Sequence, residues 1–295
     1  MNEFKTYHPI VNFIYFVAVI GFSVFFMHPL CLAISLFSSF SYSVILKGKK
    51  IIKTNLLYML PMLVLMAVMN SLFNHHGATI ITYLPDGNPL TFESIIYGIA
   101  SALMIISVIC HFSSYNEIMT SDKFIYLFGR IIPTLSLILS MTLSFVPKFT
   151  RQIKVVINAQ KCMGRDISNG NIFKRAKIGI SILSIMVTWA LENTIETADS
   201  MKSRGYGLCK RTSYTNYRFE KRDKVALVYV ILLTLCTLSG YFSGAMSFSY
   251  YPALETQTFS ILSLSFFVSY FLLCTYPIII EFLEVRKWKA IKSRT

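Results

Sequence analysis

Two short runs in the middle of this 295-residue chain carry the side chains best suited to chemistry with a partner: Cys162-Met163-Gly164-Arg165-Asp166 and Met201-Lys202-Ser203-Arg204-Gly205. In each, an arginine stands among small or polar neighbours. A guanidinium is a planar fork of donors that can grip a carboxylate through two parallel hydrogen bonds. Small flanks leave that fork open to enter an acidic groove on another protein, and two such prongs on rigid helices suit mechanical coupling. A plainer origin fits the same residues: cations close many helices, where they face the negative end of the dipole, and basic faces commonly lie against anionic lipid.

Other reactive patterns are missing from the sequence. No Gly-x-x-x-x-Gly-Lys-Ser/Thr run occurs, and Gly48-Lys49 lacks the earlier glycine, so ATP phosphates have no such cradle here. Any ATP-driven role then needs a separate ATPase. Gly-x-Ser-x-Gly and His-Glu-x-x-His are absent too. No catalytic residue, cofactor or metal-ligand set is therefore expected. His75-His76, with Asp86 ten positions on, make a poor metal site, because adjacent side chains on a loop rarely converge and no third ligand is fixed. His111 reads as a polar cap at the end of a span. The six cysteines (31, 110, 162, 209, 236 and 274) show no metal spacing and read as buried small residues or free thiols. Ionisable groups within spans are functional by default, but Glu93 and Glu281 fall at span edges, where water can reach them. That scarcity speaks against a proton- or ion-coupled carrier.

The elements that must position the two arginines follow from composition. The chain is 54% hydrophobic and 14% charged, against about 25% charged in ordinary soluble domains. A soluble enzyme and a disordered chain are both excluded. An all-α, polytopic membrane protein with about six transmembrane helices remains. Six stretches approach the roughly 20 apolar residues needed to cross a bilayer: 10–27, 30–46, 56–73, 95–112, 225–244 and 259–283. His28-Pro29 predicts a tight turn between the first two. The first apolar run leads straight into the second without a clear cleavage site, so it is kept as mature structure and not read as a signal peptide.

Charge then sets the orientation. There are 28 Lys and Arg against 14 Asp and Glu. The basic residues lie before the first span, between the second and third, between Ser113 and Lys224, and after the last. The other three connections hold no Lys or Arg, only Asp86, Glu93 and Glu255. The positive-inside rule gives one consistent topology, with both termini in the cytoplasm of a multi-pass cell-membrane protein. The chain divides accordingly into four N-terminal spans (1–112), a cytoplasmic helical region (113–224) and a C-terminal transmembrane hairpin with a basic tail (225–295).

The cytoplasmic region is too long for a structureless loop. Phe124, Leu127 and Phe128 predict a short amphipathic helix. Pro133 and Pro147 bracket a short apolar run suited to a packed or interfacial helix, and Ile153, Val156, Ile157 and Gln160 continue at helical spacing. That stretch stops near Gly164, and Asn169-Gly170 marks a turn. A second long helix starts near Phe173 and ends at Arg204-Gly205-Tyr206-Gly207, with Gly205 and Gly207 as C-cap candidates.

In this setting the motifs gain a family. The proline, apolar helix and Phe145-Val146-Pro147, followed by Ala159-Gln160-x-x-x-Gly164-Arg165 and then Ala198-x-x-Met201-x-x-Arg204-Gly205-Tyr206, resemble the T component of energy-coupling factor transporters, the membrane scaffold of a class of ABC-type vitamin and transition-metal importers. The match runs over about Pro133–Gly207, and elsewhere only in hydropathy and order. Members carry two Ala-Arg-Gly-type motifs at the cytoplasmic ends of coupling helices, each docking into a groove on one of two ATPase subunits. The resemblance implies docking by Arg165 and Arg204, with Gly164, Asp166, Ser203 and Gly205 as flanks. It also implies a small substrate-binding membrane subunit as a further partner. Nucleic acid is not expected as a partner, because the positive charge follows membrane sidedness, which explains it sufficiently. The second motif departs only by Ser203 in place of alanine. The first has Gly164 for alanine and Asp166 for glycine, and a carboxylate there could pair internally. Two other readings stand beside this one: a conventional ABC importer permease, echoed by Asn158-Ala159-Gln160-x-x-x-Gly164 but lacking the glutamate of its coupling motif, and a membrane-embedded enzyme acting on lipids.

Overall fold

The computed structural model describes residues 3–48, 50–83, 87–129, 132–166, 171–208, 217–256 and 260–292. Lys49, Asp86, the Asn169-Gly170 turn, Cys209 and Arg294 lie outside the described residues. Described residues form two compact units, 1–124 with 217–295 and 125–216. Helix dominates both, and the only strands described form two small antiparallel hairpins, β1 (Ile80–Tyr83) with β2 (Pro89–Thr91) and β3 (Phe248–Ser249) with β4 (Glu255–Thr256).

The larger unit opens with a 3-10 turn, Glu3–Thr6, and two helices that begin by the same device. α1 (Pro9–Phe25) and α2 (Pro29–Lys47) each start at a proline, whose missing N–H is no loss there. In each, the preceding histidine caps: His8 Nδ1 accepts from Ile10 N at 3.3 Å and His28 Nδ1 from Leu30 N at 3.2 Å. The turn between them falls where His28-Pro29 predicted it. α3 (Lys50–Phe73) leans on α4 (Phe92–Ile118) at Gly98, where an added Cβ would sit 2.9 Å from the Ala67 Cα. α8 (Lys221–Phe242) and α9 (Ile261–Lys292) complete the unit. Phe4, Tyr15, Phe16, Tyr42, Tyr270 and Leu273 form the heart of its core. Phe4 sits edge-on to Tyr15 at 5.3 Å, an arrangement favoured by the ring quadrupoles.

Among the described residues, six helices are long and apolar enough to cross a membrane: α2, α3 from Ile51, α4, α8, α9 to Lys287, and α7 (Ile172–Ser203). The set is not quite the one expected. α1 has 17 residues, about 26 Å at 1.5 Å per residue, and falls just short. α7, read as an amphipathic helix of the cytoplasmic region, has an apolar window long enough to qualify. The chain is a multi-pass membrane protein in either case.

Three polar expectations change. Glu93 and Glu281 do not stand in water: both are buried. Glu93 accepts from the Thr79 hydroxyl and from Thr79 N at 3.2 Å, and Glu281 accepts from Phe4 N at 3.3 Å. Chain segments outside the spans fold over them, which hydropathy could not foresee. His111 does not end a helix, because α4 runs on to Ile118; it is buried, with Nε2 3.4 Å from Ser35 Oγ, which in turn meets Ser23 Oγ at 2.7 Å.

α5 (Ser121–Gly129) is the short amphipathic helix expected around Phe124, and its Lys123 is buried. The Lys123 ammonium donates to the Lys5 carbonyl at 2.6 Å and, with the Asn12 amide turned to present its oxygen, to Asn12 at 2.8 Å. Burial, helped by repulsion from Lys5, pushes this ammonium down to about 8. Unfolded, the lysine keeps its proton up to about 10.4. Between those values the unfolded chain binds more protons, so stability arising at this site increases as pH climbs through that window. Lys123→Met is expected to flatten the difference in melting temperature between pH 7.5 and 9.5 in detergent. An unchanged slope would show that Lys123 does not titrate in that window.

In the smaller unit, α6 (Pro133–Cys162) is one unbroken helix of 30 residues that carries Pro147 inside it. The sequence had suggested two pieces divided at that proline. α7 has 32 residues, and its N-terminus is capped by the Asn171 side chain, which accepts from Ile172 N at 2.8 Å.

Candidate docking site

α6 and α7 touch over a short stretch whose core is Val156, Ile178, Ile182 and Met186. Phe149 meets Trp189 edge-on at 5.3 Å, and Lys148 donates to Asn193 Oδ1 at 3.0 Å while its ammonium lies 6.0 Å from the Trp189 ring centre. Residue numbers rise along α6 as they fall along α7, so the helices run in opposite senses. The C-terminal end of α6 lies beyond Val156 on one side of the contact, and that of α7 beyond Asn193 on the other. At 1.5 Å per residue, the two ends are about 30–45 Å apart, the range covering crossings from perpendicular to antiparallel. The sequence had placed an arginine near each helix end. Their separation to opposite sides of one contact was not readable from it.

Both ends are closed by the same backbone device. On α6, Gly164 N donates to Lys161 O and Arg165 N to Gln160 O, both at 3.0 Å. On α7, Gly205 N donates to Lys202 O at 2.9 Å and Tyr206 N to Met201 O at 3.1 Å. Each is a Schellman closure around a left-handed glycine, with φ +76° at Gly164 and +77° at Gly205. An added Cβ would meet nothing within 4 Å at Gly164, and only a Leu208 methyl at 3.5 Å beside Gly205. Both glycines are therefore required by backbone conformation and not by lack of space.

The predicted residues are all near these ends, but not in matching places. Arg204 precedes its glycine and Arg165 follows its own. Both are exposed, and among the described residues neither forms an ion pair. Asp166, whose carboxylate threatened an internal pair, lies 3.7 Å from Lys161. Ser203 turns its hydroxyl back to the Ser200 carbonyl at 2.9 Å, leaving Arg204 unobstructed. Sequence reasoning quoted Met163 and Tyr206 in the motifs without giving them a docking role and did not name Leu208, yet all three are exposed apolar residues here. The signal that could have found them is the glycine itself, which fixes the register of a helix end more firmly than an arginine does.

Such an arrangement can present two chemically distinct tips, spaced apart on helices that press on one another.

No family model matches the chain. It is 36% identical over 103 residues to the energy-coupling factor transporter transmembrane protein EcfT of Lactobacillus helveticus, a stretch covering 35% of this chain and 37% of that protein. Against the protein of the same name from Staphylococcus aureus it is 34% identical over 119 residues, 40% of this chain and 44% of the relative. The Lactococcus lactis protein of that name is 34% identical over 102 residues, 34% and 38% of the two chains. The chain thus spans less than half the length of the curated relatives it matches. The family indicated by the helix-end motifs is the one these relatives carry in their names.

Proposed function

We propose that this chain is the transmembrane coupling subunit, or T component, of an energy-coupling factor ABC-type importer in the cell membrane, with both termini in the cytoplasm. Two cytoplasmic ATPase subunits bind it, one at the end of α6 (Gly164, Arg165, Asp166) and one at the end of α7 (Ser203, Arg204, Gly205). ATP binding and hydrolysis change the separation of the ATPases. Because α6 and α7 press on each other between their tips, that change levers one helix across the other. The movement passes to a small substrate-binding membrane subunit, which tilts or releases its vitamin or metal ion inward. This chain hydrolyses nothing itself.

The observation that carries the reading is the pair of similarly capped helix ends held on opposite sides of one contact. A single compact groove cannot take both tips across about 30 Å or more, whereas two separate partners can. The named relatives add weight to it, and the basic residues gathered in the region containing α6 and α7 agree with cytoplasmic exposure.

The test is affinity purification of the tagged chain from membranes in mild detergent, with partners identified by mass spectrometry. ABC ATPases are expected with the wild type. Recovery of the intact chain without any ATPase, under conditions that preserve other membrane complexes, would overturn the proposal.

A further inference from the structure

The two helix ends can be laid over one another by their hydrogen bonds instead of by residue type. With the closures matched, Gly164 falls on Gly205. The residue before the glycine is then Met163 on α6 and Arg204 on α7, and their backbones agree: φ −84°, ψ 12° against φ −85°, ψ 9°. The residue after the glycine is Arg165 on α6 and Tyr206 on α7. Side chains at matched backbone positions leave the helix end in the same direction, so Met163 points where Arg204 points, and Arg165 where Tyr206 points.

Resting on the function proposed above, we infer that the two ends dock by different chemistry, with Met163 and not Arg165 at the centre of the α6 end. α7 offers a guanidinium fork and so suits a pocket that supplies carboxylate oxygens. α6 offers a thioether, 61% exposed, with the exposed Cys162 beside it. An unbranched, polarizable side chain of this kind fills an apolar pocket of irregular shape. Arg165, displaced past the glycine, meets the rim of that pocket. Charges at a rim act mainly on the rate and salt dependence of association, while the anchor buried at the centre carries most of the affinity. The partner surface that receives α6 is therefore an apolar pocket on an ATPase, and the two docking surfaces are not interchangeable.

Truncations at the two positions separate the alternatives, because neither side chain takes part in the backbone closure. The complex of the full chain with its ATPases is purified with Met163→Ala, Met163→Arg or Arg165→Ala, and the ATPase retained per chain is measured at two salt concentrations. Met163→Ala is expected to weaken retention at the α6 end about tenfold or more, in the range of a buried anchor. Arg165→Ala should cost about threefold or less, and mostly at low salt. Met163→Arg, which makes the α6 end resemble the α7 end, should also lose the ATPase. If Arg165→Ala costs more than Met163→Ala, or if Met163→Arg strengthens retention, the inference falls while the coupling role stands. If the wild type retains no ATPase at all, the coupling role falls and this inference with it.

Discussion

Arg204→Glu is expected to lose the ATPase proposed to dock at the α7 end while leaving the chain folded and inserted. The closure of α7 uses only backbone groups, Gly205 N to Lys202 O and Tyr206 N to Met201 O. The Arg204 side chain is exposed and pairs with no carboxylate among the described residues. Reversal therefore breaks no hydrogen bond of the closure, and the dipole interaction lost at this exposed helix end is worth only about 0.3–1 kcal/mol. On the proposed docking, its cost falls at the interface: a pocket whose carboxylates would grip the fork would face another carboxylate. Truncating one member of a hydrogen-bonded charge pair at an interface costs about 2–5 kcal/mol, and like-charge repulsion adds to that. A loss of about 30-fold to several thousand-fold in affinity follows. Arg204→Lys should fall between the two, since it keeps the charge and loses the bidentate geometry. Co-purified ATPase, normalised to the recovered chain and checked by gel filtration, measures both. Full retention by Arg204→Glu would rule out a docking role for this arginine.

Hydropathy and charge were enough to read much of this molecule. Long apolar runs made helices, and the lysine-free connections supply the orientation proposed above without any knowledge of packing. The turn at His28-Pro29 was legible because proline restricts its neighbour through local sterics. What escaped was set by tertiary contact. Pro147 looked like a boundary, yet α6 runs through it. Glu93, Glu281 and His111 looked like edge residues because apolar runs end near them, but loops and helix extensions bury all three. At the candidate site, arginine was the visible signal and glycine the reliable one. A left-handed glycine fixes where a helix stops to the residue, whereas a cation near the last turn is free to stand on either side of that point. Arg165 and Arg204 stand on opposite sides, and only the hydrogen bonds of the two closures reveal it.

A charge placed where α6 and α7 press together should separate docking from transport. Ile182 is 4% exposed and packs in the small cluster with Val156, Ile178 and Met186. Ile182→Asp puts a carboxylate among them with no cation in the cluster to meet it. An uncompensated charge in such surroundings costs several kcal/mol, comparable to what four apolar side chains gain there at about 1.5–3 kcal/mol each. The contact should open, and each helix keeps its own hydrogen bonds and its own closure. Arg204 lies 22 positions from Ile182, about 33 Å along the helix, so the α7 tip reaches its partner as before. The expected outcome is a complex that still co-purifies with its ATPases and hydrolyses ATP within about twofold of wild type, while uptake falls by about tenfold or more, as for a change of at least 1.4 kcal/mol in a coupling equilibrium. Uptake is read in proteoliposomes of the whole complex, using the vitamin or metal ion carried by the co-purifying binding subunit. Trp189→Ala, which removes a half-buried ring from the rim of the same contact, should lower uptake in the same direction by less. If Ile182→Asp loses the ATPases, the helix contact holds the tips in place for docking; if uptake survives, force does not pass through the crossing at all. Only loss of uptake with docking kept makes the crossing the fulcrum between two tips that the partners pull separately.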